Sequence, residues 1–262
     1  MEEKLRLGGM ALANGVLVHG PTAWACAIRT DEGELKVTSG RKRWPASKVE
    51  SPLLRGPARL AEVFTLLPMV RRRLPQARLA FERPTVLATM VVSAVAARAV
   101  RESGPGGPAA QELLAGMLAL VPATLSLRGT SLAAYHGAEH MSIGAYEHGE
   151  DRPREHERCG SHLVGPLLGT SALGAALAAR APEQARRPAR VAASIGALAA
   201  ATEIFGWMTR NPDSKLARAL ARPGHELQHR LATAEPTPEQ LEVAEAALSA
   251  CLALEDGGHN NN

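Results

Sequence analysis

Hydrophobic and polar positions alternate over short distances near the N-terminus and give way to long apolar segments further along the chain. Between residues 9 and 38, short β-prone runs alternate with turns, and Asp31-Glu32-Gly33 has the composition of a hairpin turn. The proline-rich polar stretch 45–57 indicates a linker that leads into a helix at about 58–73. The pattern predicts a small antiparallel sheet with β-prone runs at 11–19, 23–29 and 35–38.

Four later segments are apolar, rich in Ala, Gly and Leu, and close to the roughly 20 residues that a helix needs to span a bilayer. Three of them contain one charged residue each, Arg98, Glu112 or Glu203, and the fourth contains none. The mean hydropathy of the chain is −0.09, which is low for a protein with several membrane spans. Two interpretations therefore remain open: the segments are membrane-spanning helices, or they form the buried helices of a soluble bundle. The segments are 84–100, 109–127, 160–179 and 191–208.

These patterns predict a mainly α protein: a helical bundle of alanine-rich helices, either membrane-embedded or soluble, with a small N-terminal antiparallel β region. Residues 1–50 are assigned to the β region and its linker, 51–256 to a helical domain, and 257–262 to a disordered tail. Within the helical domain, 238–254 has the pattern of an amphipathic closing helix with Thr237 as its N-cap.

Composition narrows the classes of partner and location. Only 3% of the residues are aromatic and the net charge is +4, so we expect no nucleic-acid partner that stacks bases on aromatic side chains. Basic residues flank the apolar segments, which favours membrane lipid as a partner. Cys26, Cys159 and Cys251 are odd in number and widely spaced, which indicates a reducing compartment. We expect a multi-pass cell-membrane protein with a cytoplasmic N-terminal region; a cytoplasmic protein is the alternative.

The motif His136-Gly137-Ala138-Glu139-His140 is the clearest sign of chemistry. Residues four apart on a helix share a face, so His136 and His140 can direct two imidazoles at one metal ion, with Glu139 on nearly the same side. The spacing is that of the H-x-x-E-H motif of metallohydrolases, in which the glutamate is the general base for a metal-bound water. The alternative interpretation is two exposed histidines beside a solvated glutamate.

Further metal donors follow this motif closely. Cys159 precedes an apolar helix, whose backbone dipole stabilises a thiolate, so Cys159 is predicted to be a ligand. A buried, unreactive thiol is the alternative for Cys159, and solvated loop residues are the alternative for the nearby histidines. The accessory candidates are Glu147, His156 and His162.

Glu203 interrupts an apolar run. Inserting a carboxylate into a membrane helix costs about 2.5 to 3.5 kcal/mol, so such a group usually has a partner or a function. Glu203 resembles the downstream glutamate that supplies the third ligand in inverse-motif metalloproteases. Two roles of Glu203 therefore remain open: it is a metal ligand, or it forms a salt bridge with Arg190 or Arg210.

A second motif, His225-Glu226-Leu227-Gln228-His229, satisfies the H-E-x-x-H pattern of metalloproteases. Pro223-Gly224 precedes it directly, which predicts that a helix begins here, and no cluster of donors surrounds it in the sequence. His225, Glu226 and His229 are therefore either an alternative metal site or the polar face of an amphipathic helix.

The motifs at 136–140, 156–160 and 202–203, together with several further stretches in the same chain order, resemble the YqhQ-like family (domain of unknown function 1385). That family is described as predicted metal-dependent enzymes that are usually multi-pass membrane proteins. The resemblance covers nearly the whole chain. Its most specific block is Tyr135-His136-Gly137-Ala138-Glu139-His140 with Ala145-Tyr146-Glu147 and His156-Glu157-Arg158-Cys159-Gly160. The other matching stretches are Asn14-Gly15-Val16, His19-Gly20-Pro21 with Trp24, 31–34, 51–56, Thr202-Glu203, Glu235-Pro236 and 240–244.

The resemblance implies a site built from His136, His140, Cys159 and Glu203, with His156 and Glu139 as further members. The chain departs from the family in three respects, of which the first is that its apolar segments are weaker than those typical of the family. Where this chain has Asn14, the family favours a glutamate. The H-E-L-Q-H stretch falls where the family has an apolar segment that contains tryptophan, so this motif is peculiar to the present chain.

We therefore expect a metal-dependent, membrane-associated hydrolase of peptidase-like type. His136 and His140 would hold a divalent ion, zinc in first place, with Glu203 or Cys159 as the third ligand. Glu139 would deprotonate the metal-bound water, whose pKa zinc lowers to about 7.

Two alternatives remain open. The first is a non-enzymatic membrane scaffold or sensor with a structural metal site, which would have four protein ligands. The second is an H-E-x-x-H metalloprotease centred on His225 and His229 with Glu226 as the base. The sequence selects no substrate and no oligomeric state.

Overall fold

The computed structural model describes residues 4–257. Within this range it contains a four-stranded antiparallel sheet in the order β1-β2-β3-β4 and eight α-helices, which confirms the predicted mainly α fold class with its N-terminal sheet. The predicted tail 257–262 lies outside the described residues apart from Gly257. The strands are β1 (Gly8–Leu12), β2 (Gly15–His19), β3 (Ala23–Arg29) and β4 (Leu35–Arg41). The helices are α1 (Pro52–Arg73), α2 (Pro84–Ser103), α3 (Pro108–Leu127), α4 (Ser131–His148), α5 (Val164–Ala178), α6 (Arg186–Arg210), α7 (Lys215–Leu227) and α8 (Pro238–Asp256).

Three element boundaries differ from the sequence prediction. The run at 11–19 is divided into β1 and β2 by the two-residue turn Ala13-Asn14. Helix α1 begins at Pro52 rather than near residue 58, because a proline in the first helical turn loses no hydrogen bond. The H-E-L-Q-H segment lies at the end of α7 and in the π-helical segment Gln228–Ala232 that follows, because the helix continues through Pro223 and Gly224 instead of beginning after them. Gly224 packs on the main chain of Ser161.

Helices cover both faces of the sheet. Side chains alternate along each strand, so Val18 and Ala25 pack with α4 and α8 on one face, whereas Leu17 and Cys26 pack with α1 on the other. Strands β2 and β3 are therefore apolar along almost their whole length, as strands buried on both faces are. The sheet shares its two cores with helices from segment 51–256, and the predicted division into two regions stays a prediction.

One buried carboxylate fixes α8 to the sheet. Glu255 is 2% exposed and accepts hydrogen bonds from the N–H groups of Thr22 and Ala23 and from the Thr22 hydroxyl, each at 2.7 Å. At the other end of α8, Thr237 accepts a hydrogen bond from the N–H of Gln240 and forms the predicted N-cap. Both ends of this helix are therefore defined by polar contacts.

A buried ion pair joins the sheet to α1. Lys42 follows β4 and places its ammonium 2.7 Å from a carboxylate oxygen of Glu62, and the two side chains are only 3% and 7% exposed. Glu62 also accepts a hydrogen bond from the N–H of Ala46 at 2.6 Å. Because a buried charge is costly without its partner, this pair fixes the position of α1 on the sheet.

Four helical segments form an apolar bundle in which α2 packs on α3, α3 on α5, and α5 on α6. Each is long and apolar enough to cross a membrane, and at most 22% of the residues in their apolar windows are buried. Val91, Val92 and Val95 of α2 are 64–66% exposed. Such an apolar surface is consistent with membrane association. The segments are Pro84–Ser103, Pro108–Leu127, Gly160–Ala178 and Glu183–Arg210.

Replacement of Glu62 tests the ion pair between the sheet and α1. Glu62→Gln leaves the Lys42 ammonium buried without its counter-charge, so we expect a loss of about 3 to 5 kcal/mol in the free energy of unfolding, measured by denaturation followed with circular dichroism. Glu102→Gln removes the exposed partner of Arg98 and should change the stability little. Equal stability of the two variants would contradict the role of the buried pair.

Candidate metal centre

Helix α4 places His136 and His140 one turn apart on the same face. Their ring centroids are 4.3 Å apart, and His140 is 3% exposed. Burial lowers the pKa of His140, which favours the neutral imidazole that binds a metal. The two histidines are therefore positioned as the helical spacing predicts.

Cys159 reaches these histidines from the loop between α4 and α5. Its Sγ lies 3.6 Å from Nε2 of His136, and the donor atoms of His136, His140 and Cys159 all lie within 4.8 Å of one another. Sγ also accepts a hydrogen bond from the N–H of Ser161 at 3.5 Å. We call these three residues the donor group.

Each histidine of the donor group can present its Nε2 atom to a metal, because the main chain binds its Nδ1 atom. Nδ1 of His136 lies 2.8 Å from the carbonyl oxygen of Ala232, and Nδ1 of His140 lies 2.6 Å from that of Arg154. A carbonyl oxygen only accepts, so Nδ1 carries the proton in both rings and Nε2 presents a lone pair. Main-chain partners of this kind fix the tautomer and orientation of metal-binding histidines, so these residues fit a divalent ion.

Gly137 allows the segment that follows α7 to cross closely over α4. A Cβ at Gly137 would lie 2.2 Å from the carbonyl oxygen of Ala234, and the N–H of Ala234 donates to the carbonyl of Ala133 at 2.9 Å. The segment after α7 thus runs directly over α4 at the one residue of the motif without a side chain. This contact brings the hydrogen-bond acceptor of His136 into place.

Glu139 is buried between α4 and strand β1. A Cβ at Gly9 would lie 2.2 Å from Oε1 of Glu139, so the carboxylate packs against the main chain of the strand. Burial raises the pKa of Glu139 above its ordinary value, although electrostatic interactions with His136 and His156 partly oppose the shift. The carboxyl group lines the same cavity as the donor group.

This cavity has a volume of about 430 Å³, which is within the range of small-molecule sites. Its walls are strand β1, helix α4, the end of α3 and the loop that carries Cys159. All three residues of the donor group line it. The donor group and the carboxyl group of Glu139 therefore face the same cavity.

A single buried amide holds the loop that carries Cys159. Gln228 is 0% exposed; it accepts a hydrogen bond from the N–H of His156 at 2.8 Å and donates to the Ser161 hydroxyl at 2.8 Å. It also donates to Nε2 of His162 at 3.0 Å. Because these contacts lie on both sides of Cys159, Gln228 fixes the position of its thiol.

The structure does not bring Glu203 to the donor group. One carboxylate oxygen of Glu203 accepts a hydrogen bond from Nε of Arg55 at 2.6 Å, and the other contacts the same guanidinium. The Glu203 carboxylate therefore has a charged partner, which offsets the cost of placing it in an apolar helix. That partner belongs to α1 and is neither Arg190 nor Arg210.

The accessory candidates also have other partners. His156 accepts a hydrogen bond at Nδ1 from the N–H of Arg158, and its Nε2 lies 3.2 Å from Glu147, so both ring nitrogens are engaged. Glu147 is also paired with Arg158 at 2.7 Å. His162 lies between the amide of Gln228 and a main-chain carbonyl of α7. These residues support the loop without joining the donor group.

The H-E-x-x-H motif does not gather metal donors in the described part of the chain. The rings of His225 and His229 are stacked with centroids 6.4 Å apart, and His229 binds Glu155 at 2.9 Å. Glu226 forms a salt bridge with Arg230. The contribution of this motif to the site comes instead from the glutamine between the histidines.

Sequence reasoning did not single out His19, which also lines the cavity. The ammonium of Lys42 only donates and lies 3.0 Å from Nδ1 of His19, so Nε2 of the ring carries the proton. Burial and the nearby ammonium lower the pKa of His19 to about 4, and the ring is neutral near pH 7. In the sequence, His19 is a polar residue that ends an apolar strand, and it belongs to the His19-Gly20-Pro21 stretch that resembles the family.

Comparison with known proteins identifies a family. A family model described as "Protein of unknown function (DUF1385)" matches residues 81–254, about two thirds of the chain. The matched span includes the donor group, Glu139 and Gln228, and leaves out the sheet with His19. No match was found among curated proteins or among solved structures.

Gln228→Leu tests whether this amide holds the Cys159 loop. The variant keeps a similar volume but leaves the N–H of His156 without its acceptor, so we expect amide hydrogen exchange in residues 156–162 to become about tenfold faster. Gln76→Leu, an exposed position away from the loop, should leave this exchange unchanged. Slow exchange in Gln228→Leu would show that other contacts hold the loop.

Proposed function

The chain belongs to the DUF1385 family of proteins of unknown function, and from this premise we propose that it is a membrane-associated, metal-dependent hydrolase. The observation that carries the proposal is the donor group: His136, His140 and Cys159 converge within 4.8 Å. Both imidazoles are already held in the tautomer that a metal requires.

Zinc is the ion that this set of ligands favours. Two imidazole nitrogens and one thiolate are typical zinc donors, and three protein ligands leave one position of a tetrahedral site open. A structural zinc site would normally take a fourth protein ligand, and the group found among residues 4–257 has three members. When bound, zinc supplies a Lewis acid that activates water near neutral pH.

Glu139 is the proposed general base. Its carboxyl group lines the cavity beside the donor group and is buried against strand β1. In this role it accepts a proton from the attacking water and passes that proton to the leaving group. His19 contributes a neutral N–H donor to the same cavity.

The exposed apolar helices support a location in the cell membrane, with lipid as the partner of their surface. Helix α4 and the Cys159 loop connect the end of α3 to the start of α5. If α3 and α5 span the bilayer, the donor group lies at one end of the bundle, next to the membrane surface. We propose that this end and the sheet face the cytoplasm.

Metal content tests the site directly. The purified full-length chain should retain one zinc per molecule after exchange into zinc-free buffer, and His136→Ala should lose it, because two remaining donors hold zinc weakly. His225→Ala alters the other histidine motif and should keep the zinc. Mass spectrometry of bound metal measures both; undiminished zinc in His136→Ala would refute the site.

Replacement of Glu139 separates chemistry from metal binding. Glu139→Gln removes the proposed base but none of the three donors, so zinc content should be unchanged while hydrolysis of a chromogenic ester falls by about 10² to 10⁴. Glu226→Gln is the matched control in the second motif and should keep full activity. Equal rates for Glu139→Gln and the unaltered chain would exclude Glu139 as the base.

A further inference from the structure

We propose that the substrate is a polypeptide in extended conformation, which binds as an added strand along the free edge of β1 and places a peptide bond beside the donor group. This inference rests on the proposed hydrolase function and adds the class of substrate. It is carried by the position of the edge strand in the wall of the cavity.

The cavity runs along the edge of β1. Successive side chains of a strand point to opposite faces of the sheet. A cavity on one face would therefore touch alternate residues, yet this one is lined by the four consecutive residues Gly8, Gly9, Met10 and Ala11. The edge of the strand, with its main chain, faces the space that the donor group also lines.

The register shows which main-chain groups are free on this edge. The turn Ala13-Asn14 makes Leu12 and Gly15 a hydrogen-bonded pair, so Met10 and Gly8 are also bonded to β2. The N–H and C=O groups of Gly9 and Ala11 therefore point away from β2. Among residues 4–257, no group outside the sheet forms a hydrogen bond with them.

Unpaired N–H and C=O groups at this spacing are complementary to the main chain of another strand. A lipid chain has no groups that pair with them, so a polypeptide fits the edge better than an acyl chain does. Gly8 and Gly9 leave this part of the edge without side chains, so the main chain of a polypeptide can approach the main chain of β1 closely. The packing of Glu139 on Gly9 brings the proposed base to the strand.

The reaction is hydrolysis of the bound peptide bond. The oxygen of one water forms a new bond to the carbonyl carbon, and the C–N bond breaks. Glu139 takes a proton from the water and delivers it to the leaving nitrogen, so the products are a carboxylic acid and an amine. No oxidant or further reactant is needed.

Ala11→Pro tests the edge. Proline removes the outward N–H of Ala11 without breaking a bond to β2, and its ring obstructs an added strand. Val37→Pro is the matched control: Val37 lies on the other edge strand, β4, and its N–H also points out of the sheet. Both variants are made in the full-length chain, together with Glu139→Gln for measurements of binding without cleavage.

The probe is β-casein, an unstructured polypeptide, and the readouts are zinc content, affinity for fluorescent casein and casein cleavage. Ala11→Pro should bind casein about tenfold more weakly, with a matching rise in KM, and should retain its zinc. Val37→Pro should behave as the unaltered chain does. Equal affinity of Ala11→Pro and the unaltered chain would overturn the proposal.

A second measurement needs no change in the strand. Saturation of the Glu139→Gln chain with casein should slow amide hydrogen exchange in residues 8–12, whereas exchange in residues 35–41 should not change. Absence of protection at 8–12 would overturn strand addition even if Ala11→Pro failed to fold.

Two outcomes distinguish this inference from the proposed function. If the chain binds zinc and cleaves a chromogenic ester but neither binds nor cleaves casein, the polypeptide inference fails and the hydrolase function stands. If the chain binds no zinc, the hydrolase function fails, and protection of 8–12 by casein would still support the edge as a binding site.

Discussion

Two hydrogen bonds to main-chain carbonyls determine the geometry of the donor group. Ala232 and Arg154 accept from Nδ1 of His136 and His140, and these contacts fix the direction of each ring and the position of its proton. The two acceptors belong to different segments, one after α7 and one in the loop before α5. The site is therefore complete only when α4 and both segments are folded together.

Local pattern predicted the sheet region and the long apolar helices, but it did not predict α7 or the division of the run at 11–19 into β1 and β2. Apolar run lengths located the long helices, Thr237 marked the start of α8, and helical periodicity placed the two histidines on one face. Contacts between segments that are distant in the chain could not be predicted from local pattern. The apolar run around Glu203 showed that its carboxylate needs a partner, but that partner, Arg55, lies 148 residues away and no local signal identifies it.

The second histidine motif shows why spacing alone could not decide between a metal site and the polar face of a helix. Any polar face of a helix can carry two histidines four residues apart, whereas metal binding needs a further donor brought from elsewhere. The residue of this motif that matters is Gln228, which is buried between the histidines and reaches across to the loop of Cys159. Burial of a single polar side chain cannot be read from a five-residue pattern.

Gly137 has a consequence for recognising this architecture in other chains. Its hydrogen atom occupies the place where any larger substituent would collide with the carbonyl of Ala234. An alanine at this position would push that crossing segment outward and release the ring of His136 while every metal donor was still present. The glycine is thus as characteristic of this arrangement as the histidines beside it, and a motif search that treats it as a variable position would accept sequences unable to bring the three side chains together.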